Sequence, residues 1–252
     1  MAWPAMAYGV VAAWQSAPVD RGAFFSDYAR MRYPASIARE VAEALSLLDQ
    51  AENHLQKVLG QSTQLEVWRD PFEPAALQRS AERREDLRQT RLDAETADEH
   101  LQRALALQPN FGELQSHLVG ARLLNFAALK FLYALEMTER WKELGPKLSG
   151  EQLWYDWESE VVYADHGRLP DLMDAITELR TDYRTAWLAE YTPYRLGTAL
   201  GRWDAEYEYW RRMQEKFRGF FARHQEGEPL PPMDTFSKAA SRLRICIHIG
   251  HL

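Results

Sequence analysis

Three closely spaced carboxylates, Asp156, Glu158 and Glu160, sit among Trp154, Tyr155 and Trp157 near the centre of the chain. Paired carboxylates are what glycoside hydrolysis uses, one as acid and one as nucleophile or base. On an α-helix, Asp156 and Glu160 at i,i+4 share a face and Glu158 points away. Two carboxyl groups one turn apart can meet the ~5 Å separation of a retaining pair. The neighbouring rings offer flat faces on which a sugar can stack. The same residues also fit a surface helix with its acids outward and its aromatics inward, the commoner fate of such residues.

Further candidates follow along the same stretch. Asp165-His166-Gly167-Arg168 reads as a bend before Leu169-Pro170. A loop histidine beside an aspartate can shuttle a proton or be oriented by it. Equally, both side chains can serve only to satisfy backbone groups of the turn. Glu190 to Arg195 and Arg202-Trp203-Asp204 form another polar-aromatic cluster, with Glu206 and Trp210 following. Arg184 and Arg195 could clamp a carboxylate, or pair with acids between long helices. The candidate catalytic residues are therefore Asp156, Glu158, Glu160, Asp165 and His166. The candidate substrate contacts are Trp154, Tyr155, Trp157, Arg168, Tyr194 and Arg195.

Other chemistries find little support. The seven histidines are scattered and form no HExxH, so no metal is expected. No GxSxG, P-loop or GxGxxG is present, so no cofactor is expected. The single cysteine, Cys246, excludes an internal disulfide and any CxxC motif. A net charge of −7 argues against nucleic acid as a partner, because phosphate binding needs a basic face. No run approaches the ~20 apolar residues of a membrane span. The apolar start, MAWPAMAYGVVAAWQSAPVD, has no basic region before it and does not read as a signal peptide, which leaves the cytoplasm as the default.

The elements that must position these residues read as helical throughout, and the expected fold class is all-α: a bundle of long antiparallel helices with shorter helices packed on it. Pro4 suits the first turn of a short helix, and Asp20 caps a second one that ends at Tyr33-Pro34. Residues 36–59 carry one apolar stripe and stop at Gly60. Residues 75–107 read as one long charged helix and 111–144 as a second, apolar nearly all round and hence buried. The short turn at Gln108-Pro109-Asn110 sets that pair antiparallel. Ser149 is the expected cap of a helix holding the WYDWESE segment. Asp171 opens the next helix, and Thr192-Pro193 the last. The domain boundaries fall at 1–34, 35–225 and 226–252, the last a linker and poorly ordered tail.

The stretch WPAMAYGVVAAWQSAPVDRGAFFSDYARMRYP resembles the last barrel helix of glycoside hydrolase family 20, the β-N-acetylhexosaminidases. Pro4, the small residues Ala5, Ala7, Ala12 and Ala13, Trp14 and Ser16, then Phe24, Phe25 and Tyr28 carry that likeness. YADHGRLPDLMDAITELR and WLAEYTPYRLGTALGRWDAEYEYWR resemble the helical C-terminal extension of certain bacterial members. The resemblance spans the chain to about residue 224. It implies substrate-assisted hydrolysis by an adjacent Asp-Glu pair on a middle barrel strand, upstream of Met1. No barrel strand is visible here, so no family catalytic residue is carried over. The resemblance thus implies a C-terminal helical portion, carbohydrate-associated and without the usual site. A self-sufficient glycosidase using the carboxylates of 153–168 is the alternative, and a helical scaffold or oligomerisation module the third reading. Cut from a barrel, the apolar face of residues 3–28 would be exposed, so a homodimer is expected.

Overall fold

The computed structural model describes residues 2–60, 67–144, 154–163, 167–232 and 236, and all regular structure among them is helical. The helices are α1 (Ala2–Trp14), α2 (Arg21–Arg32), α3 (Ala38–Leu59), α4 (Pro74–Glu82), α5 (Arg84–Leu107) and α6 (Gly112–Leu144). A π-helix, Trp154–Tyr163, follows, then α7 (Arg168–Glu190) and α8 (Leu196–Gln225). Packing follows chain order: α2 on α3, α3 on α5, α5 on α6, α6 on α7, and α7 on α8. The all-α bundle expected from periodicity is the fold observed.

Local chemistry explains the ends. Asp20 accepts the Ala23 amide at 2.7 Å and so caps α2, whose last residue gives way to an extended Tyr33 before Pro34. Gly60 takes the left-handed conformation, φ 74°, that closes α3. α3 and α5 pack together, and both carry small buried residues, Ala44 and Ala51 on the first and Ala94, Ala97 and Ala104 on the second, which permit close approach of helices. Four-residue connections then leave α5 and α6, and five-residue connections α7 and α8, no choice but to fold back antiparallel. α6 is long and apolar enough to cross a membrane by length and composition. Its most apolar window is 67% buried by neighbouring helices, which explains why it is apolar on nearly every side.

Several expected boundaries move. The single helix expected over 75–107 is two, because Arg83 leaves the helical region at φ −126°, ψ 36°. No glycine or proline marks that break. α7 begins at Arg168, with Pro170 accommodated in the first turn, where its missing N–H costs no intrahelical bond. α8 does not start at Thr192-Pro193. Pro193 instead offers its carbonyl to the Leu196 amide at 3.1 Å, and Arg195 stands before the helix with φ 60°, ψ 7°. The WYDWESE segment is π-helical rather than α-helical, and Ser149 lies outside the described residues.

The expected separation at residue 34 is bridged by one continuous core, in which Phe24, Phe25 and Tyr28 of α2 join the side chains of α3, α5 and α6. The residues after α8 also return to that core. The Pro231 carbonyl accepts Trp141 Nε1 at 2.8 Å, and a fully buried Phe236 lies 4.4 Å from Phe217, centroid to centroid. Pro231 and Phe236 thus pack against the helices.

Two buried polar groups anchor the bundle. Lys130 of α6 is wholly buried and stands 3.5 Å from Glu206 of α8, itself 3% exposed. Its Nζ donates to the Arg69 carbonyl at 2.8 Å and to the Val67 carbonyl, tying the residues before α4 to both helices. Glu206 also accepts Trp210 Nε1 at 3.2 Å. Asp70 accepts the Phe72 amide at 3.0 Å and the Tyr209 hydroxyl at 3.1 Å. Burial, with the Asp70 and Glu206 carboxylates, holds the Tyr209 phenol well above its ordinary pKa. At the other end, His117 is 1% exposed and pairs with the Tyr33 hydroxyl at 2.9 Å, while Glu113, bridged to Arg32, stands 4.0 Å away. Burial pushes the His117 imidazole down to about 3 and the Tyr33 phenol up.

Removing one member of a buried ion pair strands the other. Lys130→Met should lower the unfolding free energy by about 3–5 kcal/mol in urea titrations. Lys130→Met/Glu206→Leu should recover part of that loss, and an unchanged midpoint in the single variant would refute the anchoring role. For His117, the unfolded imidazole binds a proton near 6.5 and the folded one only near 3, so the unfolded state charges first as pH falls. The stability that neutral His117 contributes is complete above pH 6.5 and declines from there toward about pH 3. Wild type should therefore lose about 1.2 kcal/mol relative to His117→Gln between pH 6 and 5. Parallel pH profiles of the two proteins would contradict this.

Candidate functional site

Of the central stretch singled out in the sequence, Glu160 and Arg168 come together in a small cleft of about 260 Å³ with Glu136, Glu139, Arg140 and Glu143. Three of the four acids there are already engaged. Glu160 pairs with Arg140, Glu139 pairs with Arg84, and Glu136 lies 3.2 Å from Arg168. Arg168 also lies over the Tyr133 ring at 5.9 Å. A catalytic acid needs an open approach to the glycosidic oxygen. Glu160 has a guanidinium in contact instead, so its catalytic assignment finds no support in this geometry.

Trp157 requires a correction. Expected as a sugar-stacking wall, it is fully buried, 5.0 Å from the Trp141 ring and 5.2 Å from Phe217. Together with Phe221 and Phe236 these rings join α6, the π-helix, α8 and the C-terminal segment. A π-helix closes i→i+5 bonds, so the one-face alignment assumed for Asp156 and Glu160 on an α-helix does not carry over. Tyr155 is 68% exposed on the outer side. The side chains of Trp154, Asp156 and Glu158, and Asp165 and His166 altogether, lie outside the described residues.

A larger concavity lies elsewhere, along the second polar-aromatic cluster. Three helices each present one face to it. α6 gives Ser116, Val119, Gly120, Leu123 and Leu124, while α7 gives Tyr183, Ala186, Trp187 and Glu190, with Tyr191 just beyond its end. From the α8 side come Arg195, Thr198, Ala199, Arg202 and Trp203, at i, i+3, i+4, i+7 and i+8. Val67 and Trp68 close one side. The groove holds about 510 Å³ at the α8 end and about 350 Å³ toward Glu190, the two sharing Gly120, Leu123, Tyr183 and Trp187. The larger part alone is within the ordinary range for a small-molecule site.

Aromatic rings run the length of this groove. Trp68 meets Trp203 edge to face at 4.7 Å, Trp203 lies 6.0 Å from Tyr183, Tyr183 lies 5.9 Å from Trp187, and Trp187 lies 5.5 Å from Tyr191. The Trp187 indole donates to the Thr192 carbonyl at 2.8 Å, which fixes that ring against the α7–α8 connection. The Lys130 ammonium holds the carbonyls on either side of Trp68 and so sets that ring against Trp203. Glu190, at the smaller end, accepts the Ser116 hydroxyl. Of the sequence-derived contacts, Arg195 lines the groove, while Tyr194, 71% exposed, lies outside its lining. Trp68, Tyr183 and Trp187 were not among the expected contacts. A spacing signal for the α7 pair existed, since Tyr183 and Trp187 are i,i+4 on a helix; nothing local pointed to Trp68.

No family model matches this chain, and neither does any curated protein or solved structure.

The allocation of aromatics between core and surface is directly measurable. Trp157→Ala should cost about 3–5 kcal/mol of stability, the toll of a large cavity in a packed cluster. Tyr155→Ala should shift stability by less than about 0.5 kcal/mol. Equal midpoints for the two variants in thermal melts would contradict the burial of Trp157.

Proposed function

We propose that this chain is a noncatalytic, carbohydrate-associated helical module, the C-terminal helical portion of a β-N-acetylhexosaminidase-like glycoside hydrolase, docking on a larger body through α1. The observation that carries this reading is the uncovered apolar face of α1. Met6 is 59% exposed, Val10 62% and Trp14 87%, one turn apart along one side of the helix. α1 touches the rest of the molecule mainly through Tyr8, which packs edge-on against Phe24 at 5.2 Å and reaches the Val19 carbonyl at 3.4 Å. A contiguous apolar face of this kind marks a surface that another body covers. The resemblance of this same stretch to a barrel-closing helix supplies the kind of body. The engagement of Glu160 by Arg140 and the burial of Trp157 favour this reading over a self-contained enzyme.

Two measurements test it. A panel of aryl glycosides, N-acetylglucosaminide included, should be hydrolysed no faster with the purified chain than with a heat-inactivated control. Hydrolysis that disappears in Glu160→Gln would make the chain an enzyme in its own right. Sedimentation should show open-ended, concentration-dependent association that Val10→Glu/Trp14→Glu abolishes without lowering the melting temperature. A discrete dimer dissolved by the same substitutions would assign the face to a second copy of the chain instead.

A further inference from the structure

The smaller end of the groove has a chemistry of its own. Tyr183 and Trp187 of α7 and Tyr191 just beyond it follow one another at i, i+4 and i+8, and all three line this end. Trp187 lies 5.9 Å from Tyr183 and 5.5 Å from Tyr191, centroid to centroid, and is tilted to them by 43° and 50°. Rings so inclined form adjoining walls rather than one flat floor. Tyr183 and Trp187 are half-buried, and Tyr191 is 61% exposed. Facing them, α6 contributes Ser116, Val119, Gly120 and Leu123, and Gly120 adds no side chain to the space of about 350 Å³ between the two helices.

Glu190 is the charged group among these rings, and no lysine or arginine lines this end among the described residues. Its carboxylate accepts the Ser116 hydroxyl, a bond from α6 to α7 that holds the acid against the wall. Other acids of the surface, Glu43 and Glu178 among them, also form no ion pair among the described residues; Glu190 differs in standing beside three aromatic rings in a concavity. The Trp187 indole has already given its N–H to the Thr192 carbonyl, so it offers a guest its face and no donor. Burial holds the Tyr183 phenol above its ordinary pKa, with Arg202 opposing and Tyr191 adding, so this ring is neutral at neutral pH.

An aromatic face carries a negative quadrupole and attracts a cation, and a carboxylate at its edge supplies the opposite charge. A compact ammonium or a metal ion is too strongly hydrated to exchange water for ring faces. A methylated ammonium spreads its charge over C–H groups, has few hydrogen bonds to lose, and is recognised by such faces. We infer that this end of the groove binds a methylated ammonium ion of about the size of choline, its methyl groups against Tyr183, Trp187 and Tyr191 and its charge balanced by Glu190. The site stands apart from the reading of α1 above and does not depend on what covers that helix. No bond is made or broken: the ion is held, not transformed.

Calorimetric titration of the full chain with choline chloride tests the assignment, against the uncharged isostere of choline in which carbon replaces the nitrogen. Choline should bind about tenfold tighter than the isostere. Glu190→Gln, which can keep the Ser116 hydrogen bond, should weaken choline about tenfold and leave the isostere unchanged. Trp187→Leu should do the same by removing the ring face, and Tyr191→Leu, at an exposed position, stands in for it should that variant unfold. Arg202→Ala, which removes the guanidinium acting on Tyr183, should tighten choline about twofold. Phosphatidylcholine vesicles carry the same group: co-sedimentation that choline competes away would place it on a lipid headgroup, and choline binding without co-sedimentation would place it on a free cation. Equal affinity for choline and its isostere would overturn the cation assignment. Absence of choline binding at millimolar concentration would overturn the site, leaving the docking of α1 to its own test.

Discussion

The structure depends on a charge that has no water. Lys130 is fully buried in the middle of α6, and an unpaired ammonium there would be intolerable. Its three donors face Glu206 of α8 and the carbonyls of Val67 and Arg69. The partners lie on two other parts of the chain, residues 67–69 and α8, so burial of one side chain brings three segments into register. A hydrophobic residue at 130 could pack α6 against α8, but it could not dictate where residues 67–69 lie. Such a buried pair adds little net stability over an apolar one. What it adds here is position. Trp68 sits between the two carbonyls that Lys130 holds, and its edge-to-face contact with Trp203 forms one side of the groove.

Much of the fold was legible because it rests on short-range rules. The α3 stripe, the glycine that stops it, the Asp20 cap and the X-Pro ending of α2 each involve residues within a few positions of one another. The all-round apolarity of α6 likewise predicted its burial. What was not legible depends on distant partners. The break at Arg83 carries no proline or glycine, and the π-helix at 154–163 has no sequence signature distinct from an α-helix. The segment after α8 reads as a Pro-rich linker. It is pulled into the core by a tryptophan nearly a hundred residues upstream, through the Trp141–Pro231 hydrogen bond.

The candidate site was legible only in part, and the reason is the double use of aromatics. Tryptophans beside carboxylates read as a sugar site in sequence, yet burial decides between wall and core, and burial is a tertiary property. Trp157 went to the core because Trp141, Phe217 and Phe221 surround it. Trp187, with no carboxylate next to it in sequence, came to line a groove because α6 and α8 flank it. Periodicity could find Tyr183, Trp187 and Tyr191 on one face of α7. Only the α6–α8 anchoring could bring Trp68 to them. Charge was similarly ambiguous: Glu160 is an attractive acid in sequence and the partner of Arg140 in space.

The distribution of ion pairs bears on which helices become neighbours. Several acids and bases are matched between adjacent helices. Glu40 takes both His100 and Arg103, Asp86 takes His54, and Arg122 bridges Asp98 to Asp182, linking α5, α6 and α7. The Glu40 and Asp86 carboxyls are held below their ordinary range by those histidine hydrogen bonds first, and by neighbouring cations after them. Partly exposed pairs of this kind contribute little each, so their value lies in excluding wrong helix neighbours. The exposed Arg39, Arg184, Arg195 and Arg202 form no ion pair among the described residues, so the pairs specify the seams between helices and leave outward cations to water, while Lys130, buried at one such seam, has to complete its charge balance within the fold.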